Sequence, residues 1–380
     1  MPDTDSSSPV RPIPTDAAEP LRAGIALCLS GGGYRAMLFH LGALWRLNEL
    51  AYLPKLARIS SVSGGSIVAG VLGHRWARLA FVNDVSTKFH EEIVVTIRAM
   101  ANETIDVGNI LKGIVLPGTI GDQVVASYRT YLFDRATLQD LPDTPRFVIN
   151  ATNVQSGALW RFSKPYMWDW RVGKIAHPTT ELALAVGASS AFPPLLSPAR
   201  LMLKDSDFVP GTGFDLQKPP FTEEVYLTDG GVYDNLGLET AWKVYDTILV
   251  SDGGAKMAAD PKPHTDWVRH SLRINELTDN QVRSLRKRQV IGSYRTGERK
   301  GTYWGIRSDI SDYPAPDALP CPADRTTALA EYATRLSDVP AITQERLINW
   351  GYAICDAAMR AHVMPGVQAP AGFPYPSSGL

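Results

Sequence analysis

Cysteine is scarce in this chain: three residues in 380, at Cys28, Cys321 and Cys355. They are too few and too scattered for a disulfide framework or a zinc site, and they fit a reducing compartment. Excess charge is also missing. Lys and Arg number 38 against 39 Asp and Glu, a net charge of −1, so there is no global argument for nucleic-acid binding. No apolar run approaches the roughly 18 residues that cross a bilayer, which leaves a peripheral surface as the expected membrane contact. The opening Pro2-Asp3-Thr4-Asp5 carries acids and proline where a secretion signal needs a basic then an apolar stretch. A cytoplasmic protein is therefore expected. Histidine is sparse in a more telling way. His40 and His74 fall within predicted helices, His90 in a polar stretch and His177 before Pro178. His264 and His270 flank a basic helix, and His362 lies near the C-terminus. None sits in a glycine turn after a strand, where a Ser-His-Asp triad would place its base.

What is present is a core-forming composition, 44% hydrophobic, arranged as alternating strands and helices. Residues 1–22 read as a flexible leader rich in Ser, Pro and Asp. Residues 363–380, with Pro365, Gly366, Pro370, Gly372, Pro374 and Pro376, read as a disordered tail. Between them strands are predicted at 24–29, 57–62, 146–152, 224–228 and 247–251. Helices are predicted at 34–50, 64–79, 180–190, 235–245, 267–294 and 343–362. Such alternation implies a three-layer α/β domain over 23–362, with a mainly parallel sheet covered on both faces. Its last part, 256–362, reads as a mostly helical extension. Segment 91–135, interrupted by Gly108, Gly113, Pro117, Gly118 and Gly121, reads as a cap or lid or as an irregular insertion.

Two glycine-rich strand-to-helix turns carry the chemistry. The first is Ser30-Gly31-Gly32-Gly33-Tyr34-Arg35-Ala36, the second Ser61-Val62-Ser63-Gly64-Gly65-Ser66. A sharp turn after a strand exposes a serine hydroxyl, and Gly65 two residues on permits the close approach an elbow needs. Ser63 is thus the candidate nucleophile, against the plainer reading of a helix cap; Ser60, Ser61 and Ser66 are the decoys. Backbone N–H groups of Gly31, Gly32, Gly33 and Gly64 are candidates for an oxyanion hole. A glycine triplet also suits phosphate binding, but the Lys-Ser/Thr ending of a P-loop and the spacing of a dinucleotide fingerprint are both absent. Arg35 either steadies the loop or grips a substrate phosphate.

For the base, two carboxylates fit equally. Asp229-Gly230-Gly231 follows the strand Val225-Tyr226-Leu227-Thr228, and Asp252-Gly253-Gly254 follows Ile248-Leu249-Val250. An aspartate becomes competent through burial and a direct hydrogen bond to the nucleophile.

These motifs together resemble the patatin-like phospholipases over roughly residues 24–255, and the Ser-Gly-Gly-Gly-Tyr-Arg-Ala wording resembles the related cytosolic phospholipases A. Gly31, Gly32, Gly33 and Arg35 match the oxyanion loop. Ser63 and Gly65 match the Gly-x-Ser-x-Gly elbow, with Ser61 in place of its first glycine. Asp229 with Gly230 matches the Asp-Gly-Gly motif, and the following Asn-Leu-Gly segment favours it over Asp252. Asn150-Ala151-Thr152-Asn153 with Ser156-Gly157 resembles the central strand, and Ala188-Ser189-Ser190-Ala191-Phe192-Pro193-Pro194 the small-residue turn before the aspartate. The resemblance implies a patatin-type fold and a Ser63–Asp229 dyad hydrolysing a phospholipid or lysophospholipid without metal or cofactor. A soluble carboxylesterase or neutral-lipid hydrolase with the same dyad is the near alternative. A non-catalytic lipid-binding or signalling protein that retains the fold is the distant one.

Two features remain outside this reading. The stretch from Arg269 to Lys300 contains Arg273, Arg283, Arg286, Lys287, Arg288, Arg295 and Arg299 with few acids. It suits anionic headgroups or a nucleotide-like activator, against a solvated helix face. Trp160, Trp168 and Trp170 are either interfacial anchors or core.

Overall fold

A computed structural model describes residues 21–105, 120–194 and 196–380. Most of the expected leader, and residues 106–119 within the expected lid, lie outside the described residues.

Strand β1 (Arg22–Leu29) is buried from Ala26 onward, and its alternate side chains feed two cores. Leu27 and Leu29 join the larger one with residues of α1 (Gly33–Glu49), α2 (Gly64–His74) and α8 (Ala341–His362). Ala26 and Cys28 join a smaller one with Leu236, Leu238, Ile248, Val250 and Val290. A strand that is apolar on both sides lies in the middle of three layers.

Beside a short two-stranded pair, Phe81–Val82 with Val85–Ser86, the remaining strands of the main sheet are β2 (Leu56–Ser61), β3 (Arg146–Asn153), β4 (Ala158–Phe162), β5 (Tyr166–Asp169), β6 (Gly173–Ala176), β7 (Ala199–Met202), β8 (Glu224–Asp229), β9 (Tyr245–Asp252) and β10 (Lys300–Gly305). Their order is β10-β9-β1-β2-β3-β4-β5-β6, with β8 pairing both β3 and β7. The first five strands of that order are parallel, as the alternation of strands and helices predicts. Beyond β3 the sheet continues as an antiparallel wing.

Helix α1 lies directly against α8 because two glycines permit it. A Cβ on Gly42 would overlap the Ile348 carbonyl, and one on Gly351 the Phe39 carbonyl. The other helices are α3 (Val95–Met100), α4 (Ile120–Tyr128), α5 (Leu182–Ser189), α6 (Trp267–Thr296) and α7 (Ala323–Glu331). The described flanks of 91–135 are thus helical.

Two expectations are corrected. The helix predicted at 235–245 is only a single turn, Glu239–Trp242, preceded by another at Gly231–Asp234. Gly237 takes a φ of 65° between them, and the Asp234 carboxylate accepts from the N–H groups of Leu236 and Glu239. The tail expected to be disordered is laid onto the body. The Asn349 side chain donates to the carbonyls of Tyr375 and Gly379 and accepts from Tyr375 N–H. Tyr375 packs edge-on against Trp45, and Leu380 is buried. Trp160 is also fully buried, as core and not as an anchor. No helix among the described residues is long and apolar enough to cross a membrane.

Candidate active site

Strand pairing brings the two turns together. Along one edge of β3, β2 pairs with Arg146 to Ile149, and β8 takes over at Ala151 to Asn153 from the opposite direction. The end of β2, which leads into Ser63, therefore meets the end of β8, which is Asp229. The serine and aspartate are 166 residues apart in sequence, and sheet topology alone makes them neighbours.

Ser63 has φ 50° and ψ −120°, a strained conformation for a residue with a side chain, worth on the order of 1–3 kcal/mol. Its N–H donates to Ser189 Oγ at 3.0 Å. Its side chain makes no capping bond to α2, so the helix-cap reading is set aside. Glycines make the turn feasible: a Cβ on Gly64 would overlap the Gly33 carbonyl, and one on Gly65 would press on the carbonyls of Leu29 and Ser30. The two glycine turns are thus in backbone contact.

Asp229 is 3% exposed. Its carboxylate accepts Gly231 N–H at 2.7 Å, and the Ser63 side chain lies close enough to act on it. Burial pushes its pKa up to about 7 even though Gly231 and Ser63 both oppose the rise. That value suits proton transfer at neutral pH. Asp252 is different in kind. Burial would raise it too, but Lys287 at 2.5 Å and Arg283 at 3.8 Å hold it well below the usual carboxylate range. Tyr303 hydroxyl and Gly254 N–H complete its shell. A carboxylate so satisfied is a structural ion, not a base.

The oxyanion loop needs one correction. Gly31 N–H donates to the Asn235 carbonyl at 3.0 Å and is already engaged. Its lack of a side chain still matters, since a Cβ there would lie 3.2 Å from the Ser63 Cβ. Gly32 (φ 143°) and Gly33 (φ 59°) adopt backbone angles that favour glycine. Among the described residues the N–H groups of Gly32, Gly33 and Gly64 have no acceptor. They open α1 and α2, whose N-terminal dipoles add to the attraction for developing negative charge.

Arg35 is turned inward, away from solvent. It is 2% exposed, and its guanidinium donates to the carbonyls of Gly253 at 3.0 Å and Tyr332 at 2.6 Å. Burial, with Arg307 and Arg283 nearby, lowers its pKa to about 10. His40 has a comparable task one turn on. Fully buried, its Nε2 bonds the Ser30 carbonyl and its Nδ1 faces Ser251 Oγ. Burial lowers its pKa to about 4, so it stays neutral.

The decoy serines form the floor of the elbow. Ser60 Oγ donates to the Gly237 carbonyl and contacts Thr240. Ser66 Oγ bridges Ser61 and Ser189, and Ser189 Oγ donates to the Asn150 carbonyl. Ser189, Asn150 and Asn235 had no individual role in the sequence reading, although each lies inside a quoted motif. Tyr128 gave no signal at all. It is fully buried, and burial pushes its phenol up, with the Ser190 side chain opposing the rise and the Asp229 charge adding to it. Neither its hydroxyl nor that of the nearby Tyr34 has a hydrogen-bond partner among the described residues.

Residues 27–242 match the family model for the patatin-like phospholipases. The chain belongs to that family. The match runs from within β1 to residue 242, before β9, so Ser63 and Asp229 fall inside it and Asp252 outside. No curated protein matches the sequence. Among solved structures, this patatin-like chain is similar to human GIVD cytosolic phospholipase A2, with a TM-score of 0.52 and 12% identity over 87% of this chain and 58% of that one. The same human enzyme in complex with methyl gamma-linolenyl fluorophosphonate matches with a TM-score of 0.51 and 13% identity, over 88% and 57%. The chain thus spans somewhat over half the length of these structures, and what they share with it is the fold.

Proposed function

We propose that this patatin-like protein is a lipid acyl hydrolase of phospholipase A or lysophospholipase type, acting through a Ser63–Asp229 dyad. The observation that carries the reading is a strained serine brought by strand pairing beside a buried carboxylate whose pKa is about 7. Asp229 takes the Ser63 proton as Oγ attacks the ester carbonyl. The oxyanion falls to the N–H groups of Gly32, Gly33 and Gly64, each worth about 3 kcal/mol in such a role. Collapse expels the alcohol, which receives the proton from Asp229. Water, activated by the same carboxylate, then attacks the acyl-enzyme, releases the fatty acid and restores Ser63.

A soluble or neutral-ester substrate is the second reading, and the burial of Arg35 favours it, because a phosphate grip was one of the two roles open to that side chain. The test is fatty-acid release from phosphatidylcholine and lysophosphatidylcholine vesicles, beside hydrolysis of a short nitrophenyl ester, by wild type, Ser63→Ala and Asp229→Asn. Release from vesicles that both variants lose supports a phospholipase. Ester cleavage without vesicle turnover supports a carboxylesterase. A folded wild type that cleaves neither, and that a fluorophosphonate does not label at Ser63, refutes both and leaves a binding protein. That reagent class is apt because the human structure of similar fold is a fluorophosphonate complex.

A further inference from the structure

Beside the dyad, on the same edge of the sheet, the ends of β9 and β10 and the flank of α6 enclose a separate cleft of about 330 Å³. Neither Ser63 nor Asp229 lines it. The carboxyl ends of neighbouring parallel strands are where open α/β sheets bind ligands, and this cleft has a one-sided charge. Lys256, Arg283, Lys287 and Arg307 line it, against the single carboxylate of Asp252. That carboxylate is already committed to Lys287 and Arg283. Lys256 and Arg307 are exposed, and among the described residues neither has an ion-pair partner.

Arg283 supplies an independent sign of a built site. It is 9% exposed, and its Nε is buried without a hydrogen-bond partner among the described residues. Its guanidinium is seated against Gly254, where any Cβ would overlap it. The rest of its guanidinium donates to the Ala255 carbonyl and lies 3.8 Å from Asp252 and 3.9 Å from Asp279, so Nε is the donor left for an anion to satisfy. Asn280 and the hydroxyls of Ser284, Tyr303 and Ser308 add neutral polar groups around the same space.

We propose that this cleft binds a phosphate-bearing anion and that binding is coupled to the oxyanion loop. The link is short. Asp252 and Gly254 line the cleft, and Gly253 between them accepts from Arg35 through its carbonyl and donates its N–H to Ser30 Oγ at 2.8 Å. A Cβ on Gly32 would press on that same Gly253 carbonyl. An anion that pulls Arg283 and Arg307 into the cleft therefore acts on the backbone that holds Arg35 and the loop bearing Gly32 and Gly33. Charge also passes directly, since Arg307 and Arg283 both lower the Arg35 pKa.

The first probe is inorganic pyrophosphate, titrated by calorimetry into wild type, Lys256→Glu and Lys256→Ala/Arg307→Ala, with Arg269→Ala as a surface control. Both cleft positions are exposed, so the variants are expected to fold, and circular dichroism checks that they do. The phosphate of a lipid headgroup is the other source of the same chemistry. Co-sedimentation with phosphatidate vesicles, with and without pyrophosphate, separates the two. Saturable pyrophosphate binding that weakens at least tenfold in the cleft variants but not in the control establishes a site for a free anion. Vesicle binding lost in the cleft variants, without pyrophosphate binding, establishes a headgroup site. Binding of both probes unchanged in the variants, or absent from wild type, overturns the site. Coupling is read separately as a changed rate of Ser63 labelling by a fluorophosphonate at saturating probe, and an unchanged rate overturns that half. Because binding is measured without turnover, it stands or falls independently of the hydrolase reading.

Discussion

Replacing Asp229 by asparagine is expected to abolish hydrolysis and to stabilise the fold, by an amount that grows with pH. The reason is the same burial in both cases. Below pH 3.8 the carboxyl is neutral in folded and unfolded chains alike, and its charge costs nothing. Between pH 4 and 7 the unfolded chain ionises while the folded one does not, so wild-type stability falls as pH rises. Above the folded value of about 7 the full cost is in place. Moving a carboxyl from 3.8 to about 7 corresponds to about 4 kcal/mol. Asparagine keeps an oxygen for Gly231 N–H and carries no charge, so its advantage over wild type runs from near zero at pH 4 towards about 4 kcal/mol at pH 8. A pH-independent change of about 1 kcal/mol from the altered hydrogen bonds shifts the whole curve without tilting it. The assay is urea unfolding of both proteins at pH 5, 6, 7 and 8, followed by the fluorescence of the nine tryptophans. Every other titrating group cancels in the difference. Turnover should fall by about 10²–10⁴ at pH 8, the range for loss of a general base. A stability difference that stays flat with pH refutes the buried, raised carboxylate, and with it the argument for Asp229 as base.

Asp252→Asn should act in the opposite sense, losing about 3 kcal/mol at pH 7 by leaving Lys287 and Arg283 facing one another without their anion. That loss persists down to about pH 4 and shrinks below it, because a depressed carboxylate stabilises only where it is ionised; a penalty growing towards acid pH would contradict this. Arg35→Lys should reduce turnover of a nitrophenyl ester and of a phospholipid by the same factor, since the side chain supports the loop; a loss confined to the phospholipid would reinstate a headgroup contact. Gly64→Ala should unfold or strongly destabilise the protein by forcing the two turns apart, and an unperturbed melting curve would show that they are not in contact. Deleting residues 363–380 should lower the thermal midpoint by exposing Asn349 and Trp45, and an unchanged midpoint would mean the tail contributes nothing.

The legible parts of the sequence were those where local geometry dictates residue type. A strand that must turn within two residues into a helix packed on its neighbour demands glycine at the points of contact, and Gly32, Gly33, Gly64 and Gly65 announce that in sequence. The choice between Asp229 and Asp252 was not legible from the residues themselves. Both end buried strands before paired glycines, and what separates them is Lys287 and Arg283, more than thirty residues from Asp252 and brought in by α6. Arg35 was half legible: its presence marked the loop, but its direction depends on Tyr332, nearly 300 residues away. The antiparallel wing escaped because its strands are four or five residues long, too short for a period to declare itself. The C-terminal residues escaped because composition reports backbone preference and not the side-chain amide of Asn349 that captures two of their carbonyls.

The site concentrates features that oppose folding. Ser63 is strained, two helix N-termini leave N–H groups without acceptors, and a carboxylate sits buried without a cation. Around them, beside Arg35, stand polar groups that sequence alone would dismiss as decoys or bystanders: Ser61, Ser66 and Ser189 below the elbow, Asn150 on the central strand and His40 behind the loop. A protein that only bound lipid would gain stability by relaxing any of the three, and single substitutions at Ser63 or Asp229 would suffice. Their presence together, inside one hydrogen-bonded network, is what the proposed dyad needs. The burial that destabilises Asp229 as an anion is also what brings its pKa into the range where it can take a serine proton, so stability and reactivity are opposed at one atom.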